Sequence, residues 1–373
     1  MSIPTYIPVF RLRQEEKKVL TSFNFGADIF PYVEIFKEFE RLPPKPKAGK
    51  PKKKPREPKH FNEIYIPTLN SINSEKVFVD LPVHLQQSRK MKKEVLEFLR
   101  GVVGNRKVRT DYLLSLSILR NKVIPVISTY SQLTGEPNSI KLQEADLRVV
   151  YPILAFRTSE KTFTNDMNQI SSVAQAGDFL IVDLEDYNLS DKEDMATIQF
   201  MIDFLMAFDQ CHVVLLRNSI LNSIKNFELG HCERINVIDN SLMNRYDKLG
   251  ANCFADYAGI KKDKVEDGGA VSPGFIFYDA VQNNFFGFKG SEKRELKDFE
   301  NIIIPAVLAS DAAARMQSAE SDYLSVENKG WKMIEDIWDE EESGKNQAKF
   351  KRISMEHYLH CIRTKIEDGY FLL

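Results

Sequence analysis

Short apolar runs that end on an ionisable residue recur along this chain and constrain its fold more than any other feature. The six runs with a charged last residue are YIPVFR, FPYVE, VFVD, YPILAFR, FLIVD and VVLLR, which end on Arg11, Glu34, Asp80, Arg157, Asp183 and Arg217. VIPVIST and INVID, which reach Thr129 and Asp239, complete the series. Nearly continuous apolar runs of this length are typical of strands buried on both faces, as in a parallel sheet.

Segments with helical spacing follow several of these runs, at 14–23, 88–103 and 191–208. A strand followed by a helix, repeated about eight times over roughly 250 residues, predicts an α/β fold with a (β/α)8, TIM-barrel-like domain. An open doubly wound α/β sheet is the alternative. The barrel is favoured because no glycine-rich phosphate loop follows a strand, and YIPVFRLRQEE contains no glycine.

The alternation of strand-like runs and helical segments ends after Asp239. CFADYAGI predicts a last strand, and FIFYDAV and FFGFKG predict a β-hairpin with Asn283–Asn284 at its turn. From Lys297 onward the chain has helical patterning. We therefore predict a barrel-like domain over 1–296, interrupted by an insertion at 41–60, and a helical extension over 297–373 that packs on the barrel.

The charged strand ends form the candidate site, because all parallel strands of a barrel end at one face. This places Arg11, Glu34, Asp80, Arg157, Asp183 and Arg217 around one mouth, with Glu185, Asp239 and Asp256 nearby. One interpretation is a ring of ion pairs that fixes the mouth. The other is a site for an anionic ligand, in which Arg157 and Arg217 bind phosphate or carboxylate. The acids, with Glu34, Asp80, Asp183 and Asp256 as catalytic candidates, would then act as acid–base groups or bind Mg²⁺.

The residue types that are missing from the strand ends narrow the chemistry. No strand ends in His, which disfavours His-based metal hydrolases, and none ends in Lys, which disfavours Schiff-base chemistry. No other set of residues has metal-ligand spacing, so we predict no metal ligands, and the cofactor stays undetermined with Mg²⁺ as an alternative.

The segment 41–60 is strongly basic and is named the basic arm here. It holds nine of the 51 Lys and Arg residues and six prolines, against the single acid Glu57. Proline and lysine repulsion favour an extended segment that meets polyanions first. The predicted nucleic-acid contacts are Lys45, Lys47, Lys50, Lys52, Lys53, Lys54, Arg56 and Lys59. They would contact phosphates, since no aromatic residue interrupts 41–59. A solvated loop that maintains solubility is the alternative.

The four cysteines and the hydropathy pattern predict a cytoplasmic protein. The cysteines contain no CxxC pair, which suits a reducing compartment. No apolar run approaches the roughly 20 residues of a membrane span, and the segment at Met1 has no signal-like pattern. We expect neither secretion nor a membrane partner.

Several of these motifs together resemble the protein beta family, which is widespread in bacterial and phage genomes. The motifs are YIPVFRLRQEEKKVL, FPYVEI, VFVDL, YPILAFR, FLIVDLED, FADYAGI, SPGFIFYDA and FFGFKG. The resemblance implies a barrel-like α/β fold and a phage-related setting, often antiviral defence. Its motif residues are Glu34, Asp80, Arg157, Asp183, Asp256 and Tyr257. Arg11 or Arg13 stands where the family usually has lysine, and the basic arm is an insertion.

Two functional hypotheses follow. The first is an enzyme that acts on a phosphate-bearing substrate, a nucleic acid or nucleotide, with phosphodiester cleavage as the candidate reaction. Arg11, Arg13, Arg157, Arg217 and Tyr257 would bind this ligand. The second is a non-catalytic subunit that holds nucleic acid or protein and recruits a separate effector protein.

Overall fold

The computed structural model describes residues 2–38, 59–81, 91–130, 134–262 and 272–371, and within them eight parallel strands close into a barrel. The strands are β1 (Tyr6–Arg11), β2 (Asn24–Gly26), β3 (Tyr32–Glu34), β4 (Asn73–Ser74), β5 (Val77–Asp80), β6 (Val123–Ser128), β7 (Ala155–Ser159), β8 (Phe179–Asp183), β9 (His212–Leu216), β10 (Glu233–Arg234), β11 (Cys253–Asp256), β12 (Gly274–Asp279) and β13 (Asn284–Lys289). The barrel order is β1, β3, β5, β6, β7, β8, β9 and β11, and β11 pairs with β1. The predicted TIM-barrel-like fold is confirmed, and the open-sheet alternative is wrong.

Helices connect most neighbouring barrel strands. The α-helices of the described ranges are α1 (Gln14–Ser22), α2 (Phe61–Asn70), α3 (Lys93–Gly104), α4 (Arg106–Leu114), α5 (Ser139–Arg148), α6 (Phe163–Ile170), α7 (Lys192–Leu205), α8 (Ile304–Leu308), α9 (Asp311–Gln317), α10 (Lys329–Trp338) and α11 (Gln347–Glu367). The connection from β9 to β11 contains short 3₁₀ turns and β10 instead of an α-helix. These turns leave that flank of the barrel to be covered by later parts of the chain.

The run INVID is not a barrel strand, which corrects one expectation. Residues 235–239 form a loop after β10, and Val237 is largely exposed there. The eighth barrel strand is β11, which the sequence suggested only as a terminal strand. INVID lacks the continuous burial of the true strands, because polar residues interrupt its apolar positions.

The inside of the barrel is filled by alternate residues of its strands. Ile7 and Val9 of β1, Tyr32 of β3 and Phe78 of β5 belong to one interior cluster, which also includes Tyr257 directly after β11. The residues between them face outward and pack beneath the surrounding helices. This alternation decides which strand-end residues reach the barrel mouth.

The predicted hairpin and the predicted C-terminal helices are present. Strands β12 and β13 pair antiparallel, and Asn283 has a left-handed backbone conformation at the turn, with φ of 52°. Helix α11 packs against β12 and against α1. No helix in the described ranges is long and apolar enough to cross a membrane.

Candidate ligand site at the barrel mouth

Three neighbouring strands bring their last residues side by side at the mouth. Arg11 of β1 is in register with Glu34 of β3, and Glu34 is in register with Asp80 of β5. All three lie two residues beyond an interior residue of the same strand, so their side chains point into the mouth. The parallel register therefore sets one cation beside two carboxylates.

Arg157 of β7 lies at the centre of this group. Its Nη1 donates hydrogen bonds to Glu34 Oε1 at 3.0 Å and to Asp80 Oδ2 at 3.1 Å. Its Nη2 donates to Asp183 Oδ2 at 2.6 Å. One guanidinium thus joins carboxylates from β3, β5 and β8. Arg11 completes the network, with its Nε 2.7 Å from Glu34 Oε2.

The network is layered from the barrel interior to the surface. The side chains of Glu34 and Asp80 are each 2% exposed, and the Tyr32 hydroxyl donates to Asp80 Oδ2 from below. Among the described cations of the mouth, Lys262 is the most exposed, with a side chain that is 23% exposed and an Nζ 3.9 Å from Asp183 Oδ2. A ligand approaching from solvent would therefore meet Lys262 before it met the buried carboxylates.

The cations keep the mouth carboxylates ionised. Burial alone would raise the pKa of Glu34, but the charges of Arg11, Arg157 and Lys262 outweigh it and hold that pKa at about 2. Asp183 behaves in the same way, and Arg157 and Lys262 hold its pKa well below the usual range despite burial. Neither carboxyl carries a proton near neutral pH.

A second arginine fixes Asp80 from the outer side of the barrel. Arg109 of α4 is fully buried, and its Nη2 donates to Asp80 Oδ1 at 2.6 Å. Its other hydrogen bonds go to the carbonyl oxygens of Leu81 and Val126 and to Gln143. Both oxygens of Asp80 therefore have cationic partners.

Tyr257 also lies at the mouth, but its polar group, unlike the carboxylates described above, has no hydrogen-bond partner among the described residues. Its ring lies in the interior cluster, with Lys262 Nζ 5.2 Å from the ring centroid. The residue is 3% exposed, and its hydroxyl has no hydrogen-bond partner among the described residues. Burial raises its pKa, and Glu34 adds to that shift, so the hydroxyl is neutral and can donate. An unpaired buried hydroxyl costs about 1–3 kcal/mol.

Two predicted site residues lie outside the mouth, which corrects their expected placement. Asp256 precedes the interior residue Tyr257 and points outward, where it accepts hydrogen bonds from Tyr6 at 2.5 Å and Tyr358 at 2.6 Å. Arg217 follows the interior residue Leu216, also points outward, and pairs with Asp239 at 2.9 Å. Asp256 ends β11 and Arg217 directly follows β9, but the alternation of side chains along each strand directs them to the outer face.

The remaining predicted residues lie at the edge of this site or beyond the described ranges. Arg13 precedes α1, and its guanidinium carbon lies 5.7 Å from the centroid of the Phe36 ring. Lys59 is exposed. The predicted nucleic-acid contacts Lys45, Lys47, Lys50, Lys52, Lys53, Lys54 and Arg56 lie outside the described residues. In the sequence the basic arm follows β3, the strand whose last residue, Glu34, lies at the mouth.

Sequence reasoning missed three residues that shape the mouth. Tyr32 and Arg109 support Asp80, and Lys262 supplies the outer cation. Tyr32 reads as an ordinary core aromatic, and Arg109 lies within a helix far from any strand end. Only the position of Lys262 shortly after β11 could have suggested a place near the mouth.

The donor set of the mouth does not suit a metal ion. The guanidinium of Arg157 lies between Glu34, Asp80 and Asp183, in the space that a shared cation would take. Within the described ranges, no group of three or more His, Cys, Asp or Glu side chains could hold a metal ion. The Mg²⁺ alternative therefore gains no support from these carboxylates.

Comparison with known proteins connects the whole barrel to one family. A family model described as Beta protein matches residues 6–363, from β1 to the last helix. No curated protein matches the chain. The match covers every residue of the mouth network, so the family assignment and the geometry concern the same part of the molecule.

Proposed function

The chain belongs to the beta protein family, and we propose that its barrel mouth binds a phosphate-bearing ligand, nucleic acid or nucleotide, without catalysing a reaction. Arg11, Arg157 and Lys262 provide positive charge, and Tyr257 provides a hydrogen-bond donor. In this proposal the buried carboxylates orient the cations. This is the second of the two hypotheses that the sequence left open.

The unpaired hydroxyl of Tyr257 is the observation that carries the proposal. Tyr257 lies in the field of Arg157, with Lys262 Nζ 5.2 Å from its ring centroid, and the buried hydroxyl has no acceptor among the described residues. Phosphate oxygens are strong acceptors, and a ligand oxygen here would satisfy the hydroxyl and lie beside Lys262. The arrangement therefore favours an anion with acceptor oxygens.

The protonation states of the carboxyls favour binding over acid–base catalysis. A general acid or base works best with a pKa near the working pH. The pKa of Glu34 is about 2, and the charges of Arg157 and Lys262 hold the pKa of Asp183 well below its usual range, so neither carboxyl meets this condition. The catalytic roles predicted for Glu34, Asp80, Asp183 and Asp256 stay predictions. Our proposal does not require them.

The basic arm extends the proposal to polyanions. The arm carries nine Lys and Arg residues and follows β3 in the sequence, and the last residue of β3, Glu34, lies at the mouth. Deleting 43–59 should weaken binding of a labelled oligonucleotide and flatten its salt dependence between about 50 and about 200 mM salt. Unchanged binding on both counts would remove the arm from the proposal.

A single hydroxyl tests the mouth. Tyr257→Phe removes a group with no partner, so we expect no loss of stability but about tenfold weaker binding of inorganic pyrophosphate in calorimetric titration. Tyr6→Phe is the matched control, because its hydroxyl bonds Asp256 on the outer face. It should lose stability and keep affinity. Equal affinity of Tyr257→Phe and wild type, or no binding to wild type, would contradict the proposal.

Phosphodiester cleavage is the opposing outcome. Wild-type protein incubated with a labelled oligonucleotide and Mg²⁺ should leave it intact. Cleavage that disappears in Asp183→Asn and Glu34→Gln, with binding retained, would replace our proposal with the enzyme hypothesis.

We further propose that this protein has a phage-related role, namely antiviral defence, as the sequence resemblance implies. Its partner in that role would be a separate effector protein. Cells expressing wild type or Tyr6→Phe should reduce phage plaque counts, whereas Tyr257→Phe should not. Equal plaque counts with and without the wild-type protein would speak against a defence role for this chain.

A further inference from the structure

A second cleft opens beside the mouth and is not used by the proposed function. It has a volume of about 760 Å³ and lies between the loops after β9 and β11, the start of β12 and the first turns of α11. Ligand pockets are typically about 300–1,000 Å³. The space is therefore sufficient for one nucleotide unit.

The loop after β9 is held firmly against the hairpin at this cleft. The Asn226 amide donates to the carbonyl oxygens of Ser272 and Gly274, each at 3.3 Å. A Cβ atom at Gly274 would lie 2.6 Å from the Asn226 side chain and 2.9 Å from its carbonyl oxygen, so this close approach requires glycine. Lys261 Nζ also donates to the Ile224 carbonyl. The wall is a fixed surface.

The lining of the cleft is basic. Its described lining residues include Arg13, Lys225, Lys261 and Lys351 and no acid. Glu228 pairs with Lys225 and Glu16 pairs with Lys351, and neither acid belongs to the described lining. The first turn of α11 forms part of the wall, and the positive end of its dipole adds to the same potential. The cleft therefore attracts anions.

An aromatic ring stands among these cations. Phe227 lies in the 3₁₀ turn Asn226–Glu228 and is 44% exposed. Lys293 Nζ lies 4.4 Å from its ring centroid and Lys225 Nζ lies 5.5 Å from it. Both ammonium groups lie over the ring, so a base that stacks on the same face displaces the ammonium group from it toward the adjoining phosphates. Exposed aromatic rings with lysines close by are a combination by which proteins bind single strands.

We propose that this cleft binds single-stranded nucleic acid, with one base stacked on Phe227 and the adjoining phosphates bound by Lys225, Lys261 and Lys293. Recognition is insensitive to sequence, because every base has a face that stacks. A duplex fits poorly, since its bases are stacked on one another and cannot reach the ring.

Residues that are close together in the sequence contribute to both the mouth and the cleft. Arg11 and Lys262 point into the mouth, whereas Arg13 and Lys261 line the cleft. A strand could thus pass from one to the other. The inference does not depend on the mouth binding phosphate, because the ring and lysines of the cleft are separate from Tyr257.

The test compares two ligands that differ only in their bases. Binding of a labelled oligothymidylate and of an abasic backbone of equal length is measured by fluorescence anisotropy on the full chain. Phe227→Ala should weaken oligothymidylate binding about tenfold and leave the abasic backbone unaffected. Lys261→Gln should weaken both. A free mononucleotide should bind less tightly than the oligomer, and a duplex should be insensitive to Phe227→Ala.

Matched variants elsewhere on the surface control for general effects. Phe204→Ala removes an exposed phenylalanine of α7, and Lys107→Gln removes an exposed lysine of α4, and neither lines the cleft. Both should bind as wild type does. The inference is overturned if Phe227→Ala binds oligothymidylate normally, or if it weakens the abasic backbone equally. If Phe227→Ala lowers affinity while Tyr257→Phe leaves pyrophosphate binding intact, the cleft stands and the mouth proposal fails.

Discussion

Consecutive residues at the end of β11 lead into two different polar environments. Tyr257 faces the barrel mouth, where arginine and lysine hold carboxylates in place. Asp256 faces outward into what we call the outer cluster, formed by Asp256, Tyr6 and Tyr358, where hydroxyl groups hold a carboxylate. The outer cluster joins β1 and β11 to α11, and the mouth joins strands to one another.

The comparison shows that burial alone does not decide the charge of a carboxyl. Glu34 and Asp256 are both buried, at 1% and 5% exposure. Burial raises the pKa of Asp256, because its hydrogen bonds from tyrosines and backbone only partly oppose desolvation. The pKa of Glu34 instead falls to about 2 under the arginine charges. The mouth is a set of fixed charges, and the outer cluster is a hydrogen-bonded support.

Replacing Arg157 should give the largest difference in stability between the mouth and the outer face of the barrel. Arg157→Met leaves Glu34, Asp80 and Asp183 close together without their shared cation. We expect a loss of about 3–5 kcal/mol in the free energy of unfolding, measured in denaturant, because breaking a buried pair strands uncompensated charge.

Arg217→Met is the matched control, since Arg217 directly follows β9 and is also buried, but pairs on the outer side with Asp239, whose side chain is 30% exposed. Its loss should be clearly smaller. Equal losses in the two variants would mean that the mouth network is no more tightly coupled than a buried arginine that pairs with one partly exposed carboxylate.

The next effect is a pH dependence that belongs to Glu34. Its folded pKa of about 2 lies below the ordinary value of 4.5, so its stabilisation is present above 4.5 and is lost as the pH falls toward 2. Wild type should lose roughly 3 kcal/mol across this window that Glu34→Gln does not lose. Parallel acid unfolding profiles would contradict the assignment.

Glu185→Gln is the control for that experiment. Glu185 pairs with Lys161 at 2.9 Å, and both side chains are about half exposed. Its acid profile should follow wild type closely, because exposed pairs contribute little.

The fold was largely predictable because its signal repeats. Seven of the eight apolar runs used to predict strands became barrel strands, and the hairpin followed from its two aromatic runs. INVID failed because its pattern is only partly apolar, and Val237 is 65% exposed. A short, partly apolar run of that kind is found both in strands and in loops with a buried residue, so it does not predict either one.

The site was only partly predictable, for a reason that lies in the same strands. Arg11, Glu34, Asp80, Arg157 and Asp183 do meet at the mouth. Asp256 and Arg217 do not meet there. Strands buried on both faces are apolar at nearly every position, so their sequence does not reveal which alternate residues point into the barrel. Contacts from distant segments, such as Arg109 with Asp80, leave no local pattern at all.

The outer cluster should respond more weakly than the mouth, and at a different pH. Tyr358→Phe removes the hydrogen bond to Asp256 Oδ2 and should cost about 1–3 kcal/mol at neutral pH, measured by denaturant unfolding. Because burial raises the pKa of Asp256, this loss should shrink at a higher pH than the window of Glu34. Tyr370→Phe, whose hydroxyl bonds the exposed Asn244, is the control. A loss that stays constant down to acidic pH would show that Asp256 is not what the hydroxyl stabilises.

Lys262 should matter least to stability, although it is the mouth cation that a ligand meets first. Its Nζ lies 3.9 Å from Asp183, whereas Arg157 lies 2.6 Å from the same oxygen and the Glu185 amide donates to the other oxygen. Lys262→Met should therefore change the free energy of unfolding by less than about 1 kcal/mol. The same variant should weaken pyrophosphate binding, because the charge it removes faces solvent. A stability loss near that of Arg157→Met would instead show that Lys262 is required for folding. The described cations of the mouth would then all serve to stabilise the fold, which would speak against Lys262 as a ligand-binding residue.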